Sequence, residues 1–379
     1  MNMKKVGIVG TYGRIDGCAF LNTDKLLSKV GQNTGNLLFQ YAVTNAIKEE
    51  KVIIGTDVPW DVELVKETCR VIVIPSANFI REGFDFSGFV DFLDNTGLPL
   101  VFLGLGAQAK DYQQTEFDFH PSIEKLIHLV KERCVTAGLR GSFTKNLLER
   151  FGVTNTEIIG CPTNFINQNE KFIENLEKKW NRDIFSFVAT GDEPWPSDLT
   201  KRDAERQMIQ WISEGNGIYL QQSVAPFIRY ARQNNSSQTE LVPEHHEESL
   251  RASIAPDMST TQFRAFVATK MRLYYSVDQW MEDSARFDFS IGLRLHGNMA
   301  AWQSGTPAIW IYHDSRTREL AETMCLPHIS HTDFLAKNSL TELRDSIDFS
   351  FEKYSSQRNL LKERYRNILN DAGIKSELN

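Results

Sequence analysis

Two rounds of one pattern constrain this chain more than anything else in it. Short, continuous apolar runs alternate with stretches whose apolar residues recur at helical spacing. The first round holds KVGIVG (5–10), RVIVIPSAN (70–78), LPLVFLGLG (98–106), CVTAGLR (134–140) and TEIIGCP (156–162). Between them lie the helix-like segments GNLLFQYAVTNAIKEE (35–50), DFSGFVDFLDNTG (85–97), HPSIEKLIHLVKER (120–133) and GSFTKNLLERFG (141–152). A strand that is apolar on both faces must be covered on both. Amphipathic helices between such strands supply that cover, so the pattern predicts a parallel sheet in an α/β fold.

The pattern stops at a polar break near residues 168–182 and then restarts. IFSFVAT (184–190), GIYLQQS (217–223), MRLYYSV (271–277), FDFSIGLRLHG (287–297) and TPAIWIYH (306–313) read as strands. The segment 197–215 reads as a helix capped by Ser197 or Asp198. A chain of 379 residues exceeds what one core usually organises. The expected fold is therefore two Rossmann-like, doubly wound domains, 1–170 and 180–379, facing each other across a cleft. The second includes a charged terminal helix from about Ser339, with Leu343, Ile347, Leu360, Leu361 and Ile368 on its apolar side. Residues 229–262 are polar and poorly periodic, and part of that stretch is expected to form a mobile loop at the cleft.

Composition excludes several function classes. The net charge is −7, with neither a basic surplus nor a basic stripe, so no nucleic-acid partner is expected. The cysteines (Cys18, Cys69, Cys134, Cys161 and Cys325) form no C-x-x-C pair and read as small buried hydrophobes in a reducing compartment. No apolar stretch approaches the ~20 residues that span a bilayer, and the N-terminus reads as a strand rather than a signal. The expected location is cytoplasmic, with peripheral contact at the inner membrane surface allowed.

Ligands in open α/β folds bind beyond the carboxyl ends of strands, so the strand-to-helix turns are where chemistry is sought. The richest turn is GLRLHGNMAAWQSGTP (292–307). With 289–295 extended, Arg294 and His296 would project to one side. Gly297 would allow close backbone approach, and Asn298 would cap a short helix whose free N–H groups attract an anion. Arg, His and a helix start together suit a carboxylate or phosphate. Four further turns offer Arg140 with Ser142, Gln108, Asn36, and His313 with Arg316. Each has a purely structural alternative: an ion pair for Arg294 or Arg140, a satisfied carbonyl for His296, a plain turn for Gln108, and a helix cap for Asn36 or for the 313–316 turn. No metal-ligand cluster and no nucleotide-binding glycine fingerprint is legible. Trp180, Trp195 and Trp211 read as packing residues, and His245–His246 as solvated.

The segment GLRLHGNMAAWQSGTPAIWIYHDSRTREL (292–320) resembles the C-terminal signature of the polysaccharide pyruvyl transferase family. NTGN (33–36) and RGSFTKNLLERFG (140–152) resemble that family's two other motifs, in order and spacing. The chain departs from the family where an acid is usual: Asn36 and Gly141 stand there instead. The resemblance implies a two-domain fold similar to the GT-B glycosyltransferases, with the site in the interdomain cleft. It also implies phosphoenolpyruvate as donor, a sugar acceptor (lipid-linked or nucleotide-linked precursors included), and a pyruvate ketal across two hydroxyls as product. No cofactor is expected.

On that reading Arg294 holds one anionic group of the donor and the Gly297–Asn298 backbone the other. His296 acts as acid and base from an ordinary imidazole pKa, Arg140 joins from the first domain, and His313 and Arg316 orient phosphate or acceptor. Two other functions compete: a GT-B glycosyltransferase using a nucleotide-sugar, and a degenerate, non-catalytic glycan-binding member. The acceptor sugar and the oligomeric state are open.

Overall fold

The computed structural model describes residues 4–108, 114, 116–193, 199–232 and 244–378. Its scaffold is two parallel six-stranded sheets. The first contains β1 (Lys5–Val9), β2 (Lys51–Ile54), β3 (Cys69–Pro75), β4 (Leu100–Leu105), β5 (Ala137–Leu139) and β6 (Thr156–Ile158), in the spatial order β2-β1-β3-β4-β5-β6. The second contains β7 (Phe187–Thr190), β8 (Gly217–Leu220), β9 (Met271–Arg272), β10 (Phe289–Gly292), β11 (Ala308–Tyr312) and β12 (His328–Ser330), ordered β12-β11-β10-β7-β8-β9. Each sheet has helices between its strands, as the doubly wound, GT-B-like expectation requires. In the second sheet the chain runs β7-β8-β9 to one side and then β10-β11-β12 to the other. The switch point therefore lies between β7 and β10, which pair Ala189 with Ile291 and Thr190 with Gly292.

Several local expectations change. β2 and β12 were not legible, because both are short and lack a long apolar run. MRLYYSV contributes only the two residues of β9. Much of the region expected to be a mobile loop is helical: Ala225–Arg232, Glu244–Ile254 and Thr260–Lys270, the last closed by a Ser259–Gln262 capping box. Residues 233–243 lie outside the described residues, as do Trp195 and the proposed caps Ser197 and Asp198. Trp180 packs against Phe289, Phe349 and Phe351, and Trp211 against Phe334. Cys69, Cys134 and Cys161 are buried, and all five cysteines are free. Among the described residues no helix is long and apolar enough to cross a membrane.

The tail divides into two helices, Leu340–Asp345 and Phe351–Asp371. The longer one does not stay with the second sheet but returns to β5 and β6 of the first. It buries Tyr354, Leu361, Tyr365, Ile368 and Leu369, while Leu360, expected on its apolar side, is 44 % exposed. The returning helix ties the halves together. Trp302 Nε1 donates to Tyr354 Oη at 2.8 Å, and that hydroxyl donates to Asn164 Oδ1 at 2.9 Å. Arg358 Nε donates to the Asn164 carbonyl at 3.0 Å. One apolar core runs through the junction, joining Leu37, Leu38 and Val43 of the first half to Met299, Trp302 and Trp310 of the second.

Tyr354 is fully buried and its hydroxyl serves both halves. Tyr354→Phe strands the Trp302 N–H and the Asn164 oxygen. We expect a loss of about 1–3 kcal/mol in urea unfolding, with the m-value unchanged.

Candidate functional site

The residues that matter all follow strands, and the strand ends bring them to one cleft. From the second sheet come Asp192 after β7, Gln221–Ser223 after β8, Arg294–His296 after β10, and His313–Arg316 after β11. From the first come Ser76–Arg81 after β3, Gly106–Gln108 after β4, Arg140 after β5 and Cys161 after β6. Asp192 and Arg294 flank the switch point, where an open α/β sheet leaves a crevice.

Asp192 is the hub, and nothing in the sequence marked it. It is 5 % exposed. Its carboxylate meets Arg294 Nη2 at 2.5 Å, Lys201 Nζ at 3.2 Å and His313 Nε2 at 3.4 Å. Burial opposes its charge, but Arg294, Lys201 and His313 outweigh burial and hold its pKa below the usual carboxylate range. Behind it stands Glu205, fully buried, whose carboxylate accepts from the Asp192 N–H at 2.5 Å and the Tyr219 hydroxyl at 2.6 Å. Burial, with Asp192 adding, pushes Glu205 up to about 7.

The RLHG turn is built differently from its extended reading. β10 ends at Gly292 and the helix begins at Leu295, with Arg294 as the residue before it. Arg294 and His296 still meet in one site, brought there by the first helical turn rather than by strand alternation. Arg294 also donates to Ser223 Oγ at 2.6 Å. Its pairing with Asp192 realises the ion-pair alternative, yet it faces the cleft with side-chain exposure of 22 %. Asn298 is neither a cap nor a ligand. It is fully buried inside the helix, donates to the carbonyls of Gly292 and Ile309, and accepts from Ser290 and Thr190 hydroxyls. Gly297 likewise lies within the helix. A Cβ there would come to 2.7 Å from Thr190 and 2.8 Å from Gln222 Nε2, so its role is close packing.

His296 is half-buried, with Phe39 at 5.4 Å between ring centroids and Cys161 Sγ at 3.7 Å from its Nε2. Its pKa is pushed down to about 3 by burial first, then by the charges of Arg140 and Arg294. The ring is thus neutral near pH 7, a correction to the ordinary imidazole value expected from sequence.

Arg140 is 6 % exposed and, among the described residues, donates to neutral acceptors, Gly104 O at 3.0 Å, Asn78 Oδ1 at 2.8 Å and Ser76 O at 3.4 Å, with Glu319 near enough to favour its charge. Ser142 is exposed at the start of the next helix. Where the family usually has an acid, Gly141 leaves room for Glu319 of the opposite half, which accepts from Phe143 N–H at 2.6 Å. Asn36 is the first residue of its helix and donates to Val30 O at 2.8 Å, a structural bond. Beside it Thr34 N–H donates to Gln222 O at 2.9 Å, joining the halves. Gln108 accepts from Arg316 Nη1 at 2.8 Å, a second bridge across the cleft. Arg316 also binds Asp314 through Nε at 2.7 Å. Burial would raise Asp314, but Arg316 and then His313 hold it down to about 2.

Several polar atoms around the cleft stay unused. Arg294 Nε, Gln222 Nε2, His313 Nδ1 and Arg81 Nε are buried without a hydrogen-bond partner among the described residues. Arg294 Nε, Gln222 Nε2 and Arg81 Nε are donors, and buried donors are normally satisfied, so this set makes the cleft the candidate ligand site. Among the described residues no His, Cys, Asp and Glu group of three forms a metal-ligand set.

Comparisons with known proteins agree with this picture at the level of family. A family model described as polysaccharide pyruvyl transferase matches residues 33–315. No curated protein matches the sequence. Among solved structures, the UDP-GlcNAc 2-epimerase of Methanocaldococcus jannaschii is 12 % identical with a TM-score of 0.46, covering 96 % of this chain and 99 % of that one. The UDP-N-acetylglucosamine 2-epimerase of Rickettsia bellii is 9 % identical with a TM-score of 0.43, covering 97 % and 96 %. The trehalose 6-phosphate synthase of Burkholderia multivorans is 10 % identical with a TM-score of 0.42, covering 98 % of each.

The Glu205–Asp192 pair has a pH consequence. A carboxyl whose folded pKa is raised from the usual value to about 7 stabilises the fold at low pH, and that contribution is lost as pH rises through about 7. Glu205→Gln removes the titration; its amide oxygen can still accept from the Asp192 N–H, while its amide nitrogen donates to the Tyr219 oxygen in place of the bond that hydroxyl donated. Its unfolding free energy is expected to fall less than the wild type's between pH 5 and pH 8, by about 1–3 kcal/mol. Denaturant titrations at the two pH values measure the difference, and identical slopes in both proteins would contradict it.

Proposed function

This chain belongs to the polysaccharide pyruvyl transferase family, and from that premise we propose that it moves pyruvate from phosphoenolpyruvate onto two hydroxyls of a sugar. The sugar belongs to a precursor of a surface polysaccharide or exopolysaccharide, and the product is a pyruvate ketal. The observation that carries this reading is the pair of unpartnered buried donors at the strand ends, Arg294 Nε and Gln222 Nε2, with the buried Arg140 opposite, hydrogen-bonded to neutral acceptors. A small ligand with a carboxylate at one end and a phosphate at the other satisfies such a dispersed set. A phosphoenolpyruvate donor places the reaction in the cytoplasm, against the inner membrane surface where the acceptor is lipid-linked.

The chemistry follows from the residues present. One sugar hydroxyl attacks C2 of the donor and loses its proton, while the methylene carbon C3 gains a proton and becomes a methyl group. The second hydroxyl then attacks C2, phosphate leaves with the C2–O bond, and that hydroxyl's proton is released. His296 is the acid/base. Burial first, and then Arg140 and Arg294, depress its pKa. A donor anion between those guanidiniums offsets their charge, so donor binding raises the imidazole toward the range where it serves both directions. Asp192 orients Arg294 and His313 without touching substrate.

Two experiments check this. In thermal-shift titration, phosphoenolpyruvate is expected to raise Tm in proportion to the logarithm of its concentration, while UDP- and GDP-sugars without donor leave it unchanged. Arg294→Ala should weaken the donor at least tenfold. His296→Ala should leave donor affinity within about threefold and lower kcat by a factor of about 100 or more. A rise with nucleotide-sugars alone would instead favour a glycosyltransferase. Separately, 15N-histidine spectra, with His296 assigned from a His296→Gln variant, should show a neutral ring down to about pH 5 in the free protein. Its titration midpoint should move up when phosphoenolpyruvate is added.

A further inference from the structure

Cys161 reads from sequence as a small buried hydrophobe, and the reaction above gives it no part. Its surroundings are polar. The fully buried sulfur accepts from Thr163 Oγ1 at 3.1 Å and lies 3.7 Å from His296 Nε2. Its support is stiff. Cys161 follows β6 and immediately precedes the short helix Pro162–Phe165, whose proline restricts the backbone there. Its N–H donates to Met324 Sδ at 3.4 Å. With the sulfur fixed in this way, the imidazole is the group that adjusts.

The first half closes round that ring on other sides too. Phe39 stands 5.4 Å from it between centroids, tilted by 52°. A Cβ at Gly35 would come to 3.3 Å from His296 Cβ. Turning the imidazole over would replace its nitrogens with C–H groups, and a C–H would then face the sulfur. The contact with Nε2 therefore selects one of the two ring orientations.

Counting hydrogens goes further. A thiol has one hydrogen to donate. The sulfur already receives the Thr163 hydroxyl, and its other hydrogen-bond partner among the described residues is His296 Nε2. The thiol hydrogen therefore goes to Nε2. A neutral imidazole has one N–H and one lone pair, so a lone pair at Nε2 places the hydrogen on Nδ1. The ring is neutral near pH 7, held so by burial and then by Arg140 and Arg294. Nδ1 has no hydrogen-bond partner among the described residues and, unlike His313 Nδ1, is not sealed in the interior.

We infer that Cys161 is a positioning residue, whose thiol engages Nε2 of His296 and leaves Nδ1 as the atom that exchanges protons with substrate. This rests on the reaction proposed above, in which His296 is the acid/base. The proton count closes at Nδ1. The ring's second proton, taken up when the donor binds, sits on Nε2. The contact then reverses, with the thiol hydrogen turned aside and Nε2–H donating to the sulfur as the Thr163 hydroxyl does. The Nδ1 proton passes to C3 of the donor, where the double-bond electrons form the new C–H bond. The sugar oxygen bonds to C2 and its proton goes to Nδ1, which restores the ring. The sulfur forms no covalent bond and is not oxidised. Cys161 and Phe39 belong to one half and His296 to the other, so the ring is set only where the halves meet.

The test reads the tautomer before any ligand is added. In 15N-histidine spectra of the full chain near pH 7, wild-type His296 should show a protonated Nδ1 and a bare Nε2. Cys161→Ala should spread the hydrogen over both nitrogens. Cys161→Ser, which keeps a donor, should hold it on Nδ1. Turnover should follow the tautomer: kcat falls about tenfold or more in Cys161→Ala and returns to within about threefold of the wild type in Cys161→Ser. Both variants should bind phosphoenolpyruvate within about twofold of the wild type by calorimetry, which also shows that they are folded. A wild-type ring with its hydrogen on Nε2 would overturn the proposal. So would a Cys161→Ala protein that keeps both the Nδ1–H tautomer and the wild-type kcat. Equal losses of donor affinity and kcat in Cys161→Ala, not rescued by Cys161→Ser, would make Cys161 a packing residue and overturn it as well. The expected tautomers in a protein that ignores phosphoenolpyruvate would uphold the thiol's hold on His296 and defeat the donor reading.

Discussion

The buried ion pair of Asp192 and Arg294 is the interaction on which the site depends. It spans the switch point of the second sheet, where the chain leaves the paired strands β7 and β10 toward opposite sides. Two charges in so enclosed a place cost more in desolvation than their attraction returns, unless further hydrogen bonds complete the set. Here they do. Lys201 and His313 share the carboxylate, Ser223 shares the guanidinium, and Glu205 accepts from the Asp192 backbone. Tyr219, bonded to Glu205, fixes that support in turn. An arrangement this constrained holds Arg294 in one orientation while leaving its Nε for something else.

The second constraint is closure of the two halves around His296. Its imidazole touches Phe39 and Cys161 of the first half while sitting on the first turn of a helix of the second. Thr34 to Gln222, Gln108 to Arg316 and Phe143 to Glu319 bridge the same seam. The returning terminal helix adds the Trp302–Tyr354–Asn164 chain behind them. Each bridge uses a group from one half to satisfy a group in the other, so the seam is polar where it faces the cleft and apolar beneath. The depressed imidazole pKa is a product of this closure, since Arg140 and Arg294 come from opposite halves.

The departures at Asn36 and Gly141 have different meanings once the halves meet. Asn36 is a self-contained helix start, its amide donating to Val30. Gly141 is an accommodation: any side chain there would collide with Glu319. A carboxylate is still present at the start of that helix, supplied by the other half, where the positive end of the helix favours it. The loss of an acid in sequence is therefore not a loss of acid at that place in space.

The sequence by itself determined the layers and the ends of strands where function collects. Continuous apolar runs separated by amphipathic stretches leave few alternatives to parallel sheets, and turns such as Arg294–His296 stand out because catalytic residue types crowd there. Only the tertiary structure decided which of those residues face a ligand. Asn298 looks like a cap and is a fully buried staple between strands, because the helix begins four residues earlier than the pattern suggests. Asp192, Glu205 and Arg81 carry no local signal at all. A single Asp after a strand, a Glu in a helix and an Arg in a loop are ordinary in sequence. Their importance comes from burial and from partners distant in sequence, such as Tyr219 for Glu205, 14 residues away, and Arg294 for Asp192, 102 residues away. Local periodicity reports which face of an element is apolar. It carries no information about which distant charge will share a low-dielectric crevice, and that sharing sets the electrostatics of this site.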